Sequence, residues 1–275
     1  MFLNKKAIFF FLAIIVSLNF SCSEYQKVLK SDEVKAKYEL AEKFYEEGDF
    51  KRANRLYEQI APKYIGKPQG ERVFFFFSNT YYKIKDYNTA GYQFERFLKS
   101  YPKSDKASEA AFLGAKSYYM LSPRYSLDQT DTDKALAKIQ NFINTYPDSE
   151  YFAEANIIAK ELRSKKEKKE LEIAKQFTKL GEFYTLDNSI SAIAALDNFL
   201  TDNSGSIYRE DALFYKIKAS TNLALNSTER KKKKRLEEAK LSHAKLKKYF
   251  PESKYQKKVD NLLGKVEKEL KNYSK

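Results

Sequence analysis

Small and aromatic residues recur along this chain at fixed separations, and the recurrence predicts pairs of helices rather than strands. The segment YEEGDFKRANRLYEQIAPKY returns as YKIKDYNTAGYQFERFLKSYP. Phe50 matches Tyr87, Ala53 matches Ala90, Tyr57 matches Phe94 and Tyr64 matches Tyr101, each 37 residues further on. The second half of the pattern comes back at Ala135, Phe142 and Tyr146, at Ala192 and Phe199, and at Ala239, Leu246 and Phe250. Five units are expected, spaced by 37, 45, 57 and 47 residues.

A period of that size has a physical reading. A small Ala lets two helices approach, an aromatic on the same face fills the space beside it, and Pro147 or Pro251 ends the second helix. No pair buries its apolar face alone, so successive pairs stack into a continuous core. The spacing is close to the ~34 residues of a tetratricopeptide unit. The expected fold is therefore all-α, a tetratricopeptide-like solenoid of about five helix pairs with a C-terminal capping helix from Tyr255 to Tyr273. Two insertions modify it. LSPRYSLDQTDTD reads as a loop, with Pro123 as breaker and Thr132 or Asp133 as N-cap of the next helix. KELRSKKEKKELEIAK has no Gly or Pro and predicts one long charged helix.

Composition narrows the function classes. One cysteine excludes disulfides within the chain, so a hydrophobic core must hold the fold, and 21 Phe with 21 Tyr supply it. His243 is the only histidine and stands in a helical pattern with no cysteine or carboxylate set around it. It reads as a surface or inter-repeat residue, and no metal site or catalytic triad is expected. The 8 glycines are scattered and make no phosphate loop. The net charge of +14 draws heavily on the end of the chain, including ERKKKKRLEEAK. No aromatic platform is interleaved there, which favours a solvated helix first, anionic lipid or acidic protein faces next, and disfavours nucleic acid.

The N-terminus carries its own signal. Lys5 and Lys6 precede an apolar run from Ala7 to Val16, too short to span a bilayer but suited to an export signal, and Ser21 stands before Cys22. The arrangement resembles the lipobox of bacterial lipoproteins, with the departure that Asn19 stands at the usual aliphatic position and Leu18 one step further back. That resemblance implies a removed signal at 1–21 and a Cys22 bearing diacylglycerol and an N-acyl chain. It also implies a lipid-anchored linker at 22–34 and, with Ser23 as second residue, an outer-membrane destination. The alternative is an ordinary export signal with an unmodified thiol.

GDFKRANRLYEQI, DQTDTDKAL, FINTYPDSEY and YREDALF together resemble the BamD family of outer-membrane assembly lipoproteins, over Tyr38 to Tyr255. The resemblance implies a non-catalytic scaffold at the periplasmic face of the outer membrane. Repeats 1–3 (35–150) would receive unfolded outer-membrane proteins. Repeats 4–5 with the capping helix (151–275) would bind a BamA-like barrel protein and further subunits of the machinery. YTLDNS in the fourth unit, and Asn203 and Ser204 where other units have Tyr-Pro or Phe-Pro, depart from the repeat pattern. Another reading is a periplasmic adaptor lipoprotein for peptidoglycan or envelope enzymes. A glycan-binding lipoprotein is disfavoured by the absence of Trp.

The repeats also nominate a surface. If Phe74, Phe77, Ser78 and Tyr81 face the core, Phe75 and Tyr82 face a groove. The 37-residue period then gives two ladders, Tyr38–Phe75–Phe112 and Tyr45–Tyr82–Tyr119. Aligning Gly48 with Gly181 ends them at Leu171 and Thr178. Such a groove suits an extended peptide with alternating aromatics, with Arg72, Lys83 and Lys116 near enough to meet a carboxylate. The alternative is that the rings pack between repeats.

Overall fold

The computed structural model describes residues 24–273, and all the regular elements in them are helical. The expected signal at 1–21 and Cys22 lie outside the described residues. After α1 (24–30) come α2 (Val34–Glu46), α3 (Phe50–Ile60), α4 (Gly70–Lys83), α5 (Tyr87–Ser100), α6 (Ala107–Leu121) and α7 (Thr130–Thr145). They are followed by α8 (Phe152–Phe183), α9 (Leu186–Asp202), α10 (Arg209–Leu225), α11 (Glu229–Tyr249) and α12 (Gln256–Leu270). The chain forms two compact units. One holds residues up to Ser122 with Thr130–Ala159; the other holds Pro123–Gln129 with the chain from Lys160 onward.

The five small positions read from the sequence, Ala53, Ala90, Ala135, Ala192 and Ala239, are all 0% exposed. Four residues on stand Tyr57, Phe94, Ile139, Leu196 and His243, and seven on stand Ile60, Phe97, Phe142, Phe199 and Leu246, all of them buried. Spacings of four and seven place the three side chains on one helical stripe. Burying each large member contributes roughly 1.5–3 kcal/mol. The solenoid units are thus second helices docked by an Ala-led stripe onto their first helices, α2/α3, α4/α5, α6/α7, the end of α8 with α9, and α10/α11. α12 packs on α10 and α11 as the cap.

Local chemistry sets the turns. Asp49 and Asp86 cap α3 and α5 by accepting from the amides of Arg52 (3.1 Å) and Thr89 (3.2 Å). Gly48 before the first cap has φ +80°, and Lys85, 37 residues on, adopts φ 66° in the same role.

Several expectations are adjusted. Phe74, Phe77 and Ser78 are buried, but Tyr81 is only half-buried. α7 starts at Thr130, so Thr132 lies inside its first turn, buried, with its hydroxyl 2.7 Å from that of Ser122. The charged helix is longer than its charged segment: Ala155, Ile158 and Ala159 before that segment and Thr178 after it are also buried. Gly181 lies inside that helix and not in a turn like Gly48. A side chain there would collide with the backbone of Ser189 on α9, and its carbonyl accepts from Asn222 at 2.8 Å. His243 is buried and fills the second core slot of the fifth unit.

Candidate functional site

The unit containing α2 to α7 carries both aromatic ladders, and the structure separates their members. Tyr38, Tyr45, Tyr82 and Tyr119 are half-buried, whereas Phe75 is 4% and Phe112 2% exposed. The expectation that all six rings line an open groove is therefore corrected for these two. The physical reason is a cover supplied from the turn that follows each of the second to fifth units.

That cover has a repeated chemistry. Ser104, Ser149, Ser206 and Ser253 each follow the end of a second helix, and each hydroxyl accepts from the amide two residues on, at 2.9–3.2 Å. Each also reaches back to the preceding first helix, to Glu71, Ser108, Glu167 and Glu210 respectively. The residue two after the serine is thereby held over that helix. Tyr151 lies on Phe112 with centroids 4.7 Å apart, Tyr255 lies on Phe214 at 3.9 Å, and Tyr208 packs on the cluster containing Leu171. In the second unit the covering residue is Lys106, whose ammonium sits 5.4 Å from the centre of the Phe75 ring. An ammonium leaves space that a phenol ring would fill. A cavity of about 330 Å³ opens there, with Phe75 and Phe76 as its floor and Pro68, Glu71, Arg72 and Lys106 around it.

Phe76, which the sequence reading did not single out, is the centre of this site. Its ring meets Tyr45 edge-on at 4.6 Å, Phe75 at 5.8 Å and Tyr57 at 6.4 Å, and Arg72 lies 4.9 Å above it. It has no aromatic counterpart 37 residues away, so the ladder argument passed over it; membership of the run Phe74–Phe77 was the only available signal. Tyr38 stands beside Tyr64 (5.8 Å) and donates to Glu42 at 2.7 Å. Glu42 also accepts from Arg72 at 2.6 Å. Burial, reinforced by Glu42, raises the Tyr38 phenol, and the hydrogen bond to Glu42 raises Arg72.

Burial acts in the same direction on neighbouring tyrosines. Burial raises Tyr45, and it raises Tyr82 against the opposing charge of Lys116. Burial and a hydrogen bond to Glu95 push Tyr118 up to about 12. Of the nominated cations, Arg72 pairs with Glu42, Lys116 pairs with Glu154 at 2.7 Å, and Lys83 lies 5.8 Å from the ring centre of Phe50. In the fourth unit Leu171 and Thr178 are both 1% exposed, and Thr178 donates to the carbonyl of Ala174. Neutral, half-buried rings around an apolar floor offer binding by burial and stacking.

Among the described residues no helix is long and apolar enough to cross a membrane, and no cluster of three or more His, Cys, Asp or Glu could hold a metal.

Comparison with known proteins fits this architecture. The chain is similar to the outer membrane protein assembly factor BamD of Caulobacter vibrioides, 25% identical over 132 residues, covering 48% of this chain and 41% of that protein. It is similar to the protein of the same name from Helicobacter pylori, 24% identical over 99 residues (36% and 45%). A third, from Pasteurella multocida, is 21% identical over 198 residues (68% and 76%). The chain thus spans less than half the length of the first two relatives. These are relatives of the kind implied by the DQTDT and YPDSEY segments. A family model described as outer membrane lipoprotein, YfiO, matches residues 30–236, and the chain belongs to that family.

Proposed function

We propose that this chain is a non-catalytic assembly factor for β-barrel proteins of the outer membrane. It is held at the periplasmic face by diacylglycerol and an N-acyl chain on Cys22. Repeats 1–3 receive unfolded outer-membrane proteins. Repeats 4–5 join a BamA-like barrel protein and the other subunits of the machinery. Family membership and the names of the relatives support the assembly role. One observation supports the receiving site: the cavity over Phe75 and Phe76, where Lys106 stands in place of a covering tyrosine. An aromatic side chain from an extended peptide would pack against the half-buried Phe76, with Tyr38, Tyr45 and Tyr82 continuing the surface.

The direct experiment is a pull-down of the tagged full-length protein from detergent-solubilised outer membranes, with partners identified by mass spectrometry. Stoichiometric recovery of a BamA-like barrel is expected; recovery of cell-wall enzymes without it would favour an adaptor role. The receiving site is tested by fluorescence anisotropy with a labelled peptide ending in Tyr-x-Phe. Lys106→Tyr grafts the missing cover and should abolish binding while the protein stays folded. Binding unchanged by that substitution sinks the groove reading.

A further inference from the structure

The first helices of the repeats carry a further face, two and six residues beyond the ladder positions, and in three units a neighbouring helix covers it. On α2 the face is Leu40 and Phe44, both buried, with Tyr25 of α1 edge-on to Phe44 at 5.5 Å. On α6 it is Gly114 and Tyr118. A Cβ added at Gly114 would stand 3.1 Å from that of Phe94 on α5, and Tyr118 donates to Glu95 of the same helix at 2.9 Å. On α10 the ladder position is Phe214, matched to Leu171 because each lies under a tyrosine and because Thr178 and Thr221, seven residues on, are both 1% exposed. Its face is Lys216 and Ser220, continued by Leu223; Lys216 pairs with Asp197 on α9, and Ser220 and Leu223 are buried.

The fourth unit differs. Beyond Leu171 the same places hold Ile173, Phe177 and Leu180, and Tyr184 follows four residues later. Spacings of four, three and four put these side chains on one stripe of α8. Ile173 is 41%, Leu180 39% and Tyr184 77% exposed, and Phe177 is half-buried. The stripe is more apolar than the Lys216, Ser220 and Leu223 of α10, yet it is the one left open to water. An apolar face of this kind on a folded protein marks an interaction site.

We propose that this stripe docks an amphipathic helix of a partner protein, seated on α8 as α5 is on α6 and α9 on α10. The charge pattern fits that occupant: α5 and α9 offer Glu95 and Asp197 to the polar groups they cover, whereas the open stripe has no charged member and takes an apolar face throughout. Its shape fits too. A Cβ added at Gly91 of α5 would come within 2.9 Å of the Tyr118 ring, so the bulky Phe177, in the place of Tyr118, calls for Gly or Ala opposite it. A second copy of this chain is too large an occupant: the four side chains expose on the order of 400 Å², about half of the ~800 Å² per partner in a stable interface. One helix face is matched to that area, through anchors at spacings of three and four. So small a contact holds only a protein bound to this unit elsewhere as well, and in this the proposal rests on the reading that repeats 4–5 join other subunits.

The experiment places the photocrosslinker p-benzoylphenylalanine at Ile173 or at Tyr184 of the full-length protein in its native membranes, and mass spectrometry sequences the captured segment. Both positions should capture one segment of another protein, with apolar residues at spacings of three and four and a Gly or Ala among them. Lys247, exposed on α11, should not capture it. Leu180→Lys should lower capture from Ile173 at least fivefold while circular dichroism stays unchanged; if that variant fails to fold, Tyr184→Lys, at the most exposed position of the stripe, should do the same. Capture of a second copy, of lipid or of a segment without that pattern, no capture from either position, equal capture from Lys247, or undiminished capture in the folded lysine variant overturns the proposal. The pull-down of the barrel protein is read separately. Its recovery without a captured helix overturns this docking site and leaves the assembly role, and a captured helix without the barrel does the reverse.

Discussion

Tyr151 lies flat on Phe112, with ring planes 8° apart and centroids 4.7 Å apart, and through this contact the third unit closes over its own first helix. Phe112 also touches Phe142 at 5.4 Å, so the ring joins the stripe of the second helix to the cover. Phe112→Ala should cost about 3–5 kcal/mol, because it leaves a cavity beneath an anchored cover. Tyr151→Ala should cost about 1 kcal/mol, the scale of an aromatic pair at a partly open site. Urea denaturation followed by circular dichroism measures both, and equal costs would contradict the layered arrangement.

Lys85 adopts the left-handed conformation that Gly48 adopts 37 residues earlier. A side chain there strains the backbone by roughly 1–2 kcal/mol, and glycine removes the strain while adding some unfolded-state entropy. Lys85→Gly should therefore leave the protein equally stable or raise its stability by up to ~1 kcal/mol. Thermal melting decides this, and a loss of more than ~1 kcal/mol would show that the lysine side chain contributes something else.

Ser253 ties the cap to the fifth unit. It accepts from the amide of Tyr255 at 3.1 Å and donates to Glu210 at 2.6 Å, while Tyr255 and Lys254 both reach Asp211. Burial would raise the Asp211 carboxyl, but those two donors outweigh it and hold it below its usual range. Ser253→Ala should cost about 1–2 kcal/mol. Hydrogen exchange should show faster opening of α12 with α2 unchanged.

His243 fills a core slot that Ile139 and Leu196 fill in the preceding units. Its Nδ1 stands 2.7 Å from the carbonyl of Ala239, and its Nε2 is buried without a partner. Burial lowers its pKa below the usual 6.5, so the folded protein favours neutral imidazole. Above pH 6.5 the ring is neutral whether the chain is folded or unfolded, and it makes no pH-dependent contribution. As pH falls below 6.5 the unfolded chain takes up a proton that the folded protein resists, and stability declines by at most about 1.4 kcal/mol per pH unit. His243→Leu should remove this contribution and add about 1 kcal/mol at neutral pH by replacing an unpaired polar atom. Denaturant midpoints at pH 7.5 and 5.5 check both statements.

The helical class, the five units and their register were determined by local sequence alone. An Ala followed at four and seven residues by large apolar side chains fits a helical stripe, and the stripe positions are buried as that pattern requires, including the fifth unit's His243, which the sequence suggests as a surface or inter-repeat residue. The capping helix, the long α8 and the burial of Phe74, Phe77 and Ser78 were legible for the same reason. The six-ring groove was legible only in part. Periodicity places Phe75 and Phe112 on a face of their helix, but whether that face is open depends on residues 31 and 39 positions further along, Lys106 and Tyr151. Only tertiary packing brings those covers into place, and one ammonium in place of a ring leaves the cavity beside Phe76. The same holds for the 123–129 loop, which no sequence pattern joins to α8 and which is tied to it where Lys169 donates to the carbonyl of Leu127.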